Sequence, residues 1–366
     1  MIESNTPPGP SPICDIIVLT FNHLDVTKAF VDSVVRCTTL PVRVIFVDNR
    51  SIDRTRDYLA SLQSAGNVQF EVILSAENEG FIRGNNKGLK NTSAPFVCFS
   101  NNDVLLTPGW LEEMLEVFSR HPRLGVLNPN SNNLGVDVPA GTELDAFARE
   151  WRAKHSGQMA EMALGVGFFM LVRREVIERI GGFCEDYAPM FFEDRDYFLR
   201  AIRAGFLTGV AKGAYVWHME HASMKQLGPQ RQKIFDRSKA VFEANWGKTL
   251  RVAWILNGES SLDEILEQAA QVARTGNYVS LYIREGSNVQ REGESPGRRG
   301  ISGMTFLRYH GRADLYWKLM FKKKKFDLVI YKGKMLPRLL HWTGQPAVAR
   351  FDPAIVQQLK FSGKAR

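Results

Sequence analysis

No stretch of this chain is apolar for long enough to span a bilayer. Its opening, MIESNTPPGPSP, lacks the apolar core of a secretory signal, and residues 1–12 are expected to form a flexible, polar leader. Cysteine is scarce. Cys14, Cys37, Cys98 and Cys184 are scattered with no CxxC pair, which excludes a zinc-ribbon arrangement and a disulfide framework. Cys14 and Cys98 lie in apolar runs and read as buried thiols, a usage that fits a reducing, cytoplasmic setting. A GxGxxG turn is missing after the first apolar run, where Thr20-Phe21-Asn22-His23 stands instead, and there is no P-loop. These absences argue against a dinucleotide-dependent oxidoreductase and a P-loop nucleotidase. The lack of a glycine-rich, basic N-terminal loop argues against a nucleotidyltransferase.

What is present is ordinary globular material. The 366 residues suit about two domains, and 44% hydrophobic with 23% charged residues supplies an ample core. The formal charge of +8 is concentrated late in the chain, so it says little about the first domain, and no nucleic-acid partner is expected. Asp15–Thr20, Val42–Val47, Gln69–Leu74 and Phe96–Ser100 read as strands. Helical segments alternate with them, over about Leu24–Arg36, a second helix capped by Asp53, and Phe81–Leu89. This alternation predicts βαβ units and a parallel sheet with right-handed crossovers. Every strand is followed by polar residues: Thr20 and Asn22, Asp48 and Ser51, Asn78 and Gly80, Asn102 and Asp103. In such sheets ligands sit beyond the carboxyl ends of the strands, so these residues are expected to converge on one site. A carboxylate at Asp103 can hold a hard divalent cation that neutralises a diphosphate, although an Asx turn closing the strand gives the same local pattern.

Further along, Thr107-Pro108-Gly109-Trp110 is expected to open a helix through about His121, and Leu124–Leu127 a short strand. Asn128–Gly141 reads as a loop, Asp145–His155 as a short helix, and Gly165–Val172 as a return to the sheet. Trp110 and Trp151 suit core packing or stacking on sugar faces. From Glu193 the apolar positions Tyr197, Phe198, Ala201, Ile202 and Ala204 follow helical spacing. Glu193 and Asp194 then sit at a helix N-terminus, where the dipole stabilises carboxylates by about 0.3–1 kcal/mol. Leu207–Trp217 reads as a strand ending in His218-Met219-Glu220-His221, and Gln226–Trp246 as a polar helix; the basic Lys225, Arg231 and Lys233 suit screening a diphosphate or simply facing water.

Taken together, these pieces resemble the family 2 glycosyltransferases, which have a GT-A fold. The resemblance rests on Leu19-Thr20-Phe21-Asn22, Val47-Asp48-Asn49-Arg50-Ser51-Ile52-Asp53-Arg54-Thr55 and Asn78-Glu79-Gly80-Phe81 with Gly84-Asn85-Asn86-Lys87-Gly88. It continues in Ser100-Asn101-Asn102-Asp103, Phe192-Glu193-Asp194-Arg195-Asp196 and Val216-Trp217-His218, and covers about residues 13–245. It implies a nucleotide-diphospho-sugar transferase with a Rossmann-like mixed sheet and flanking helices. Donor-binding roles are implied for Thr20, Asn22, Asp48, Asn49, Asp53, Asn78, Gly80, Phe81, Arg83, Asn102 and Asp103, with Asp48 facing the base or ribose. Gly84 and Gly88 are expected to let the nucleotide approach the backbone, and Gly165 and Gly167 the sugar. Asp103 matches the last acid of the family's DXD motif, whose first acid is here Asn101. The cation, Mn2+ or Mg2+, then depends on the diphosphate, with His218 completing the site and His221 competing for that role. Asp194 matches the catalytic base, and Glu193 positions it or touches the acceptor. The implied activity is inverting transfer from a UDP- or dTDP-sugar to a hydroxyl of a glycan, a lipid-linked acceptor or a protein. The alternative is a binding protein that keeps the fold without turnover.

The resemblance ends near residue 248. Residues 249–366 read as a small α/β accessory domain: strands Arg251–Asn257, Tyr278–Ile283 and Phe326–Tyr331, a helix to about Arg274 opened by a Ser261-Leu262-Asp263-Glu264 capping box, and a mobile loop at 286–303. Lys322–Lys325, beside Tyr316, Trp317, Leu319 and Phe321, offers a peripheral contact with anionic membrane or a solvated basic face.

Overall fold

The computed structural model describes residues 11–219, 228–256, 262–285, 303–331, 348–350 and 359. The expected leader lies outside them except for 11–12, as do the Ser261 capping position and nearly all of the 286–303 loop. The chain divides into two compact units: Met1–Met159 with Gly165–Lys239, and Ala160–Leu164 with Ala240–Arg366.

The first unit is built on β1 (Cys14–Thr20), β2 (Val42–Asp48), β3 (Val68–Leu74), β4 (Phe96–Asn101), β5 (Val104–Leu106), β6 (Leu124–Ser131), β8 (Phe169–Arg173) and β9 (Leu207–His218), while the short β7 (Met159–Glu161) begins at its last residue before the boundary. Along the main sheet the order is β3-β2-β1-β4-β8-β6-β9-β5. The first four strands are parallel, and β1, β2 and β4 carry the near-continuous apolar sequences of strands covered on both faces. β8 runs antiparallel to β4, and β5 antiparallel to β9, which makes the sheet mixed.

The register positions the site. Thr20 pairs with Asp48, Asp48 with Leu74, and Leu19 with Asn101, so the carboxyl ends of all four parallel strands lie level. On one face of the sheet, α1 (Leu24–Cys37) buries Thr27, Phe30, Val31, Val34 and Cys37, a helical stripe set against Ile16, Val18, Val44 and Phe46. Each such apolar side chain, fully buried, contributes about 1.5–3 kcal/mol. α4 (Trp110–Arg120) adds Trp110, Met114, Val117 and Phe118 to the same core. Trp110 is thus a core residue whose Nε1 donates to Thr38 Oγ1 at 3.1 Å. Trp151 donates to the Lys212 carbonyl at 2.7 Å and stacks on Phe147, so neither indole is an open sugar platform.

On the other face α3 (Gly80–Leu89) lies close to the strands. A Cβ on Gly84 would come 2.3 Å from Leu19, and one on Gly88 2.6 Å from Ile17. These glycines were expected to admit a nucleotide, but what approaches them is the sheet. α2 (Thr55–Ala60) starts two residues after Asp53, with Arg54 rather than Asp53 at its cap position. α4 begins at Trp110, two residues beyond Pro108, and β8 begins only at Phe169. The expected loop from Asn128 is strand as far as Ser131, because the Asn128 side chain is satisfied: its Nδ2 donates to the carbonyls of Val166 (2.8 Å) and Phe169 (2.5 Å). The remaining helices are α5 (Leu144–His155), α6 (Arg174–Ile180), α7 (Glu193–Arg203) and α8 (Gly228–Trp246).

The second unit has a parallel sheet of β10 (Arg251–Leu256), β11 (Tyr278–Arg284), β12 (Met304–Tyr309), β13 (Leu328–Tyr331) and β14 (Val348–Arg350), in the order β12-β11-β10-β13-β14. Its helices are α9 (Leu262–Arg274) and α10 (Arg312–Met320). Among the described residues no helix is long and apolar enough to cross a membrane.

Candidate active site

At the level ends of β1 and β2 two loops hold each other. Asn22 Oδ1 accepts from the Ile52 amide at 2.8 Å, and the Asn22 amide donates to Ser51 Oγ at 2.7 Å. Asn22, His23 and Arg50 all have positive φ, a conformation that non-glycine residues adopt only when their surroundings impose it. Asp48, expected to face the base or ribose, is fully enclosed. Its carboxylate accepts from the Ser51 amide at 3.0 Å, from Ser51 Oγ and from Thr20 Oγ1 at 3.2 Å, with Arg56 Nε 3.3 Å away. Its visible work is to fix the loop that follows. Asn49 donates to the Gly80 carbonyl at 3.1 Å and thereby ties β2 to α3. Asp53 accepts from the amides of Thr55 (3.0 Å) and Leu24 (3.3 Å). Against the opposing effect of partial burial, hydrogen bonds from the Thr55 hydroxyl and these amides hold its carboxyl below the usual range.

On the α3 side, Asn78 Oδ1 accepts from the Gly80 amide at 3.0 Å, and the Pro189 carbonyl accepts from Phe81 and Ile82. Gly80 is needed there: its φ is 79°, and a Cβ would lie 2.8 Å from Pro189. Phe81 packs on Phe183 with centroids 6.1 Å apart, and Arg83 pairs with Glu185 at 3.2 Å, both side chains exposed.

The opposite wall begins where β4 ends. Asn102 Nδ2 donates to Thr27 Oγ1 at 3.0 Å. Asp103 meets His218: carboxylate Oδ1 and imidazole Nε2 are 3.0 Å apart, and the side chains are 13% and 12% exposed. The pairing of β5 with β9 sets this contact, since Val104 lies opposite His218 and the Met219 amide donates to the Asp103 carbonyl at 2.9 Å. Asn132 clasps the His218 backbone from both sides, at 2.8 and 2.9 Å. The imidazole lies flat on Phe168, with centroids 4.7 Å apart and planes 10° apart. His221 lies outside the described residues.

Two convergent donors of this kind, one oxygen and one nitrogen, fit a divalent cation whose remaining ligands are diphosphate oxygens and water. Among the described residues no cluster of three or more metal-ligating side chains forms.

Asp194 stands at the first turn of α7. Its Oδ2 accepts from the Gly167 amide at 3.1 Å and its Oδ1 from the Arg195 amide at 2.7 Å. Burial pushes its carboxyl above the ordinary range, while the Arg195 amide and charge and the Gly167 amide pull the other way. Glu193 is buried, its Oε2 has no hydrogen-bond partner among the described residues, and burial together with the Asp194 charge pushes its carboxyl up to about 8. The entry to this turn is strained: Phe191 and Phe192 have φ of 77° and 69°, and both rings pack on Phe235 of α8. Gly165 and Gly167 were expected to make room for a sugar. A Cβ on Gly165 would instead meet the Phe198 ring at 1.9 Å, and one on Gly167 would lie 3.2 Å from Asp194 Cβ. Arg231 and Lys233 are exposed on α8, and Lys225 lies outside the described residues.

Several supporting residues have no signature in the sequence. Phe168 under His218, Asn132 behind it and Asn128 beneath Val166 act through contacts between segments far apart in the chain.

Residues 15–181 match the protein-family model described as Glycosyl transferase family 2. This stretch of the chain is a family 2 glycosyltransferase domain, on a mixed α/β sheet of the kind expected. The chain is 24% identical over 253 residues to protein y4gI of Sinorhizobium fredii, covering 64% of this chain and 28% of that one. It thus spans just over a quarter of that relative's length. It is also 24% identical over 299 residues to the N-acetylglucosaminyl-diphospho-decaprenol L-rhamnosyltransferase of Mycobacterium tuberculosis, covering 72% of this chain and 95% of that one. Among solved structures it is similar to a mannosyltransferase from Pyrobaculum calidifontis in complex with GDP-Man and Mn2+, with a TM-score of 0.45, 18% identity, and coverage of 61% of this chain and 62% of that one.

Proposed function

We propose that the first unit transfers a sugar from a nucleoside-diphosphate donor, UDP- or dTDP-linked, to a hydroxyl with inversion at C1. The observation that carries this reading is the meeting of two acidic centres on adjacent residues. His218, paired with Asp103, rests on Phe168, and Asp194 is bonded to the amide of Gly167. In this reading the nucleoside lies over Thr20, Asn22, Asn49 and Asp53, with Asp48 holding their loop. Asn78, Gly80, Phe81 and Arg83 border it, and the diphosphate reaches Asn102 and Asp103.

Asp103 and His218 would hold a divalent cation, which when bound supplies positive charge to the departing diphosphate. Mn2+ suits this pair better than Mg2+, because imidazole nitrogen is a poor ligand for the harder ion. Asp194 takes the acceptor's proton as the acceptor oxygen bonds to C1 and the bond from C1 to the diphosphate breaks. Its raised basicity favours that transfer near neutral pH. Glu193, neutral at pH 7, places no second negative charge beside it. A lipid-linked acceptor is favoured by the activity named for the mycobacterial relative.

A second reading, a binding protein without turnover, is favoured by Asn101 in place of an acid. Incubation with UDP- and dTDP-sugars and Mn2+, with and without lipid-diphosphate acceptors, separates the two. Release of nucleoside diphosphate that is lost in Asp194→Asn supports transfer. Binding of the same nucleotides with no release from any donor leaves the second reading standing.

A further inference from the structure

α10 has two apolar faces. Leu315 and Leu319 point inward to a core with Ile255, Val329 and Tyr331. On the opposite side Trp317, Met320 and Phe321 fall within about 100° of arc and are 63%, 45% and 61% exposed. The Trp317 and Phe321 rings lie against each other, with centroids 4.3 Å apart, so the apolar surface is continuous rather than scattered.

Charge surrounds this stripe. Residues 308–327 hold seven Lys and Arg against two Asp. One of the two, Asp314, is matched by Lys318 at 2.9 Å, and the other, Asp327, accepts from the Arg251 amide at 2.8 Å. Lys325 Nζ donates to the Met320 carbonyl at 2.6 Å, which fixes the lysine run at the carboxyl end of α10. Lys322 lies over the Phe326 ring, while Lys323 and Lys324 are exposed and enter no ion pair among the described residues.

We propose that this face of the second unit docks on an anionic lipid surface. Trp317, Met320 and Phe321 enter the headgroup boundary, where tryptophan prefers to sit, and Lys322–Lys325 meet the phosphates. A surface of water-facing lysines alone would not carry an outward Trp-Met-Phe stripe. Single-stranded nucleic acid also takes aromatic and basic residues, but it needs rings open for base stacking, and here the two rings cover each other.

The test is co-sedimentation of the full chain with phosphatidylcholine vesicles, with and without about a third phosphatidylglycerol, over a salt series. Expected is binding to the anionic vesicles only, weakening as salt rises. Trp317→Ser with Phe321→Ser removes apolar area at constant charge and should lower the partition constant at least tenfold. Lys323→Ala with Lys324→Ala should lower it by roughly fivefold per lysine. All four residues are exposed, so circular dichroism should report an unchanged fold. Equal binding to neutral vesicles, or binding unaffected by the Trp317/Phe321 exchange, overturns the proposal. So does retention by single-stranded RNA without vesicle binding, or a dimer that the same exchange dissociates in the absence of vesicle binding.

Discussion

The amide of Gly167 donates a 3.1 Å hydrogen bond to the carboxylate of Asp194. The ring of the next residue, Phe168, lies flat against the His218 imidazole that pairs with Asp103. One peptide step therefore couples the acid assigned to proton removal with the pair assigned to the cation. The same segment is pinned from behind, by the Asn101 amide donating to the Phe168 carbonyl at 2.8 Å and by Asn128 donating to the Val166 carbonyl. The two centres are placed by short, satisfied contacts, and changes at 165–168 should be felt at both.

The glycines of that segment separate folding from chemistry. Gly165→Ala drives a Cβ into the buried Phe198 ring and should cost about 1–3 kcal/mol, a fall of about 2–12 °C in melting temperature. At Gly167 the neighbour is Asp194 Cβ at 3.2 Å, so an added methyl must push Asp194 aside by a few tenths of an ångström; Gly167→Ala should melt closer to wild type than Gly165→Ala yet lose activity at least tenfold. Thermal melts beside initial rates check both. Equal melting temperatures for the two variants would contradict the packing account.

Glu193 should make stability depend on pH in a defined direction. Its carboxyl titrates near 8 in the folded chain against an ordinary 4.5, so the folded state holds this proton more tightly than the unfolded chain does. That contribution is complete below about 4.5 and is lost as pH rises towards 8, above which the fold must bury a charge. Glu193→Gln should therefore melt at or below wild type at pH 5 and above it at pH 9. Calorimetric scans at the two values decide, and a pH-independent difference would remove Glu193 from this role.

Asp194→Asn should lower kcat by about a hundredfold to ten-thousandfold and leave the donor KM nearly unchanged. In the wild type, kcat/KM should rise with pH through a carboxyl pKa above the ordinary aspartate range, since the base must be ionised and burial opposes ionisation. A rate that is flat from pH 4 to 7 would contradict this.

His218→Ala should weaken nucleotide-dependent Mn2+ binding about tenfold and erase any preference for Mn2+ over Mg2+, because the remaining carboxylate is a hard ligand. Paramagnetic resonance of Mn2+ with and without UDP measures it. Melting should fall by no more than a few degrees, as the variant loses the 3.0 Å contact with Asp103 and the stacking on Phe168.

Much of the first unit was legible because its strands are short apolar runs closed by turn residues, and register alone then levels Thr20, Asp48 and Asn101 at one edge. Antiparallel β8 and β5 were not legible, since strand direction follows from crossovers that leave no local periodicity. Asp103 and His218 are 115 residues apart, and only family resemblance brought them together on the page. Gly84, Gly88 and Gly165 were read correctly as points of close approach but assigned the wrong neighbour. A missing Cβ says that something is near without saying whether it is a ligand, a strand or a ring. In the second unit β12 and α10 escaped notice, because α10 is apolar on both sides and lacks a single-face period.

The division of labour between the two acids is tested most directly by calorimetric titration of UDP with Mn2+ into wild type, Asp103→Asn and Asp194→Asn. Asp103→Asn should lose at least tenfold in affinity, while Asp194→Asn should stay within about twofold of wild type. Unchanged affinity in Asp103→Asn, or equal losses in both variants, would contradict the account.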